Sequence, residues 1–154
     1  MTRRLVLAAL AAATLLAVAG CDAILESPPK PTPMDFPALA GELAQRGLIL
    51  DRITSGDDGC DDPTLAPTAI GFDASGLGVE RDAPVRLRIY IFRNGEAFDR
   101  RRPDVDTCVA EWATDPAAFE LIDARPFVLA GQGPWPAGFE SAVRDSLLVG
   151  AAGG

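Results

Sequence analysis

The sequence predicts an α+β fold. It would be a single small domain, residues 35–150, with a mostly antiparallel sheet of four to five strands and helices on one face. Three observations predict it. Helical and strand periodicities alternate along the chain in the order α-β-β-β-α-β-β-α. The strands follow one another through short connections, which favour antiparallel neighbours. One segment, Pro84 to Phe92, places Val85, Leu87, Ile89 and Ile91 on one side and Arg86, Arg88, Tyr90 and Phe92 on the other, as a half-buried strand requires.

The elements follow in order. Asp35 can cap a helix whose apolar positions are Phe36, Leu39, Ala40 and Leu43, and Gly47 is a natural stop. Leu48–Ser55 reads as a strand, followed by the polar loop Gly56–Pro63. Thr68–Asp73 is a short strand in which Gly71 marks a bulge or close packing. Ala74–Ala83 is a turn region leading into the alternating strand. Asn94 can cap a helix carrying Ala97 and Phe98, which Pro103 is expected to break or kink. Val105, Cys108, Val109 and Trp112 then recur at i, i+3, i+4 and i+7, one face of a helix. Phe119–Asp123 and Phe127–Gly131 read as strands joined through Ala124-Arg125-Pro126. Pro136 opens a last helix with Phe139, Val143 and Leu147 on one face.

The N-terminus has a different character. Arg3 and Arg4 precede an uncharged apolar run, Leu5–Ala19, too short for a comfortable membrane span. The run ends Val18-Ala19-Gly20-Cys21, which resembles the lipobox of bacterial lipoproteins. The resemblance covers residues 1–21 and names no functional family for the domain. It implies a signal peptide, residues 1–20, cleaved before Cys21. It also implies diacylglyceryl and acyl (palmitate-type) lipid on Cys21, and a location on the outer face of the cytoplasmic membrane. Two or three acyl chains anchor stably where one does not. The short n-region favours the general secretory route over the twin-arginine route. Residues 21–34 include Ser27-Pro28-Pro29-Lys30-Pro31-Thr32-Pro33, an extended spacer that gives a reach of roughly 40 Å from Cys21 to Asp35.

Composition removes several functions. Cleavage after residue 20 leaves 134 of the 154 residues, too few for a two-lobed solute receptor. Losing Arg3 and Arg4 takes the formal net charge from −8 to −10, a poor basis for nucleic-acid binding. The chain has no histidine, which excludes Ser-His-Asp and Cys-His sites and histidine-ligated metals. No cofactor is expected, and no metal site. Asp57, Asp58, Asp61 and Asp62 lack the spacing of a calcium loop and read as turn residues. With Cys21 lipidated, Cys60 and Cys108 remain, and the exported compartment favours a disulfide between them.

Two surfaces invite a partner. Arg86, Arg88 and Tyr90, with Phe92, would lie on the strand face turned away from the helices. Trp135, in the loop Gly131–Pro136, is a residue type common at recognition surfaces, although it can instead fold onto Phe139. Arg93 and Arg100–Arg102 interleave with acids and read as an internally paired helix face. Ser141 and Ser146 read as helix-surface residues. The expected function is therefore a membrane-anchored, non-enzymatic binding or protein-interaction module for an envelope protein or a small ligand. Two alternatives stay open: a structural accessory subunit of an envelope complex, and a carboxylate hydrolase for which Glu120 and Asp123 are the nearest candidates.

Overall fold

Asp35 caps the first helix as its sequence predicts, its Oδ1 accepting the Ala38 amide at 3.0 Å. In the computed structural model, residues 34–153 are described. The expected signal peptide (1–20), Cys21 and the prolines of the expected spacer lie outside them. The first helix, α1 (Phe36–Gln45), ends in a paired-hydrogen-bond stop: Gly47 N donates to Ala44 O and Leu48 N to Leu43 O. Gly47 takes φ +94° there, a left-handed conformation that glycine adopts without cost.

The strands are β1 (Ile49–Ser55), β2 (Ala69–Ser75) and β3 (Val85–Ile91), then β4 (Phe119–Ala124) and β5 (Phe127–Gln132). Between β3 and β4 runs α2 (Gly95–Trp112), capped by Asn94, whose Oδ1 accepts the Ala97 amide at 2.8 Å. The chain closes with α3 (Ala137–Ala152), two residues past the expected boundary. The α+β class and the element order are as the patterns imply. All five strands form one antiparallel sheet in the order β1-β2-β3-β5-β4.

The helices do not share one face. Because β3 and β4 both run antiparallel to β5, they run parallel to each other. A parallel pair needs a connection that crosses a face of the sheet, and α2 is that crossover. It packs Ala97, Val105, Cys108 and Val109 against Tyr90, Val128 and Ala130. On the opposite face α1 and α3 bury Leu39, Leu43, Phe139, Val143 and Leu147 against Phe72, Leu87, Ile89, Ile122 and Leu129. Two cores result, one on each side of β5.

Pro103 neither ends nor restarts a helix. It lies within the continuous α2 on its exposed side. The hydrogen bond it cannot make to residue 99 is lost on a face where water can replace it. Among the described residues no helix is long and apolar enough to cross a membrane.

Candidate functional site

The α2 face of the sheet is apolar only where the helix covers it. Toward the other end of β2 and β3 the same face turns charged. Register places Ala69 opposite Tyr90, Gly71 opposite Arg88 and Asp73 opposite Arg86. The first pair lies under α2; the other two begin a network of ion pairs.

Asp73 is 2% exposed, a carboxylate in the middle of a strand. Such a group is stable only when paired. Arg86 Nη1 reaches its Oδ1 at 3.2 Å, and Arg52 donates to its other oxygen. Arg86 Nη1 also donates to the Arg52 carbonyl at 3.0 Å, while Nη2 donates to Asp57. Arg88 Nε donates to the other oxygen of Asp57 at 2.8 Å, and its guanidinium stacks 4.4 Å from the centre of the Trp112 ring. Burial opposes ionisation of Asp57, but hydrogen bonds from Arg86 and Arg88 outweigh it and hold the carboxyl below its ordinary value.

Arg52 arrives by an unusual route. Asp51 pairs with Asp73 and Thr54 with Gly71, so Arg52 and Ile53 together oppose Phe72, a bulge in the edge strand. Strict alternation would send Arg52 to the face opposite Asp73. Its backbone instead takes φ +48°, left-handed and strained for a non-glycine residue, and the side chain returns to Asp73. That side chain keeps 74% of its surface exposed. Arg52, Thr54, Asp73 and Arg86 line an open cleft of about 380 Å³. The cleft itself holds two guanidiniums against the one carboxylate of Asp73, a local surplus of positive charge in an acidic chain; Arg88 and Asp57 continue the network beside it.

The loop Gly56–Pro63 covers one side of this network. Asp58, 3% exposed, accepts the amides of Cys60, Asp61 and Asp62 at 3.3, 3.1 and 2.8 Å. Asp62 caps the following turn through Thr64 N at 2.7 Å. The acidic cluster thus spends Asp58 and Asp62 on backbone amides and Asp57 on arginines. Cys60 and Cys108 lie at disulfide distance, S–S 1.97 Å with Cα atoms 5.3 Å apart, and tie the loop to α2. Asp58 also stands near both sulfurs, but sulfurs bonded to each other offer no thiolate to a cation.

Several expected site residues stand elsewhere. Tyr90 is fully buried, donates from its hydroxyl to Asp58 O at 2.7 Å, and is pushed by burial to a pKa of about 12. It belongs to the core under α2, as does Phe92, and not to a partner surface. Trp135 is 7% exposed, packed edge-on to Phe139 at 5.6 Å, with Nε1 donating to Gln132 O at 3.0 Å. It locks the start of α3 and offers no free ring. Arg86 and Arg88 do come together, through Asp57. Glu120 and Asp123, three apart in β4, project to opposite faces and cannot form a carboxylate pair. Asp123 is taken by Arg102 at 2.7 Å. Ser146 is buried and donates to Ala142 O at 2.8 Å, not a surface residue.

Arg52 and Asp73 are the network members that sequence reasoning passed over, and Asp57, expected to be a solvated turn residue, is instead clamped by Arg86 and Arg88. For Asp73 a signal existed: an acid inside the otherwise apolar strand Ala69–Ser75, with Arg86 on the next strand. No family model, curated protein or solved structure matches this chain.

Proposed function

We propose that the protein is an exported, non-enzymatic binding module, held on the outer face of the cytoplasmic membrane by lipid on Cys21. It engages an anionic group of an envelope partner at the Arg52–Asp73–Arg86 cleft. The anchor half rests on the register of charged n-region, apolar run and Val18-Ala19-Gly20-Cys21. The binding half rests on the strained bulge at Arg52. A left-handed arginine costs stability, of order 1–3 kcal/mol, and the buried Asp73 carboxylate that it reaches already has Arg86 as a partner. Placement of a largely exposed guanidinium in an open cleft is the return that fits.

The carboxylates favour binding over hydrolysis. Asp73 is engaged by two arginines. Asp57 is held ionised, with its pKa below the ordinary carboxylate value, which makes it a weak base and no acid at neutral pH. A photocrosslinking residue at Thr54, which lines the cleft, tests the reading in intact cells. A discrete crosslinked species is expected, and a species of stable stoichiometry from a purified complex would instead favour the accessory-subunit reading.

A further inference from the structure

We propose that a second cleft, at the start of α2, binds a small carboxylic acid with an apolar body. Pro67, Ile91, Phe92 and Ala97 supply its apolar lining, and Arg93 and Arg101 supply its charge, around a volume of about 390 Å³. That volume lies in the range of small-molecule sites, roughly 300–1,000 Å³, and an apolar lining with few convergent polar groups is their usual make-up. Phe92 is held in place by an edge-on contact with Phe98 at 5.9 Å, so the lining is pre-formed.

The charge decides the ligand class. The acids around this cleft have partners: Glu96 lies 3.7 Å from Arg100, Asp104 pairs with Arg101, Asp99 with Arg125, and Asp62 accepts from Thr64 with Arg101 nearby. Arg93 is exposed and, among the described residues, pairs with none of them. Arg101 is steadied by Thr64 Oγ1, to which it donates. Its Nε lies 2.8 Å from Asp104, which balances part of its charge. An unpaired guanidinium beside a second arginine, over an apolar lining, suits a carboxylate whose body is an aromatic ring or short alkyl chain. The cleft shares no residue with the Arg52–Asp73–Arg86 site, and the inference stands or falls independently of it.

The probe is sodium phenylacetate, titrated into the full chain in neutral detergent and followed by amide NMR against a matched sodium chloride control. Saturable shifts are expected at Thr68, Phe92, Arg93 and Ala97. Replacing phenylacetate by the neutral phenylacetamide, or Arg93→Ala, should weaken binding about fivefold or more, and Arg93→Lys should weaken it less. No saturable shift beyond the chloride control would overturn the proposal. So would equal binding of phenylacetamide, equal binding to Arg93→Ala, or shifts gathered at Arg52 and Arg86.

Discussion

The carboxylate of Asp57 lies directly over Gly71, in the space a Cβ would fill. Only glycine at that position of β2 lets the loop set its acid down on the sheet between Arg86 and Arg88. Gly71→Ala should therefore destabilise the fold by about 1–3 kcal/mol, as overpacking does. Asp57→Ala should relieve part of the clash, so the double variant should lose less than the sum of the two single losses by about 1 kcal/mol. Urea unfolding of the three variants measures this; strict additivity would mean the two residues do not meet.

The bridge between Cys60 and Cys108 spans a sequence separation of 48. In the chain-entropy model, closing a loop of that length contributes about 4 kcal/mol. Replacing both cysteines by Ser should lower the melting temperature by many degrees and open Asp57–Pro63 to proteases. Gly59, at φ +86°, lies so close to Arg88 and Trp112 that a Cβ there would clash with both. An unchanged melting temperature would contradict the account.

Local signals were the legible part of this fold. Asp35, Gly47 and Asn94 mark helix ends through hydrogen bonds to their own neighbours, so a few residues suffice to read them. The bridge was legible from the expected compartment and the cysteine count. What was missed depends on partners far along the chain. Tyr90 and Phe92 were expected on an open face because all helices were placed on the other. The unbroken apolar run Phe127–Ala130 carried the correction, since a strand buried on both faces does not alternate. Trp135 resolved toward Phe139, four residues on, the more local of its two readings. Arg52 had no signal at all: its bulge exists only through the register of β1 on β2.

Acid should release the Asp57 clamp. Its folded pKa lies below the ordinary 3.8, so its contribution is complete above that value and is lost as pH falls below it toward the folded pKa. Stability measured from about pH 5 down to about pH 2 should fall. Asp57→Asn should remove part of that slope, while Asp62, also lowered chiefly by its hydrogen bonds from Thr64, keeps a share. A slope identical in wild type and Asp57→Asn would show that Asp57 titrates normally.

The anchor is testable on its own. Wild-type protein should fractionate with membranes, with its mature N-terminus at a lipid-modified Cys21. Cys21→Ala should abolish the modification and leave the signal uncleaved by the lipoprotein peptidase. An unmodified, uncleaved wild-type N-terminus would contradict the lipobox reading.

Arg52→Gly tests the central claim most directly, because it separates binding from stability. Glycine adopts the left-handed backbone at this position freely, and Asp73 keeps Arg86 as its partner. If Arg52 is placed for an anionic partner, the variant should match or exceed wild-type stability, within about 1 kcal/mol. At the same time it should lose the species crosslinked from Thr54 in intact cells. A variant that unfolds more readily by several kcal/mol while the crosslinked species persists would make Arg52 a structural residue and contradict the proposal.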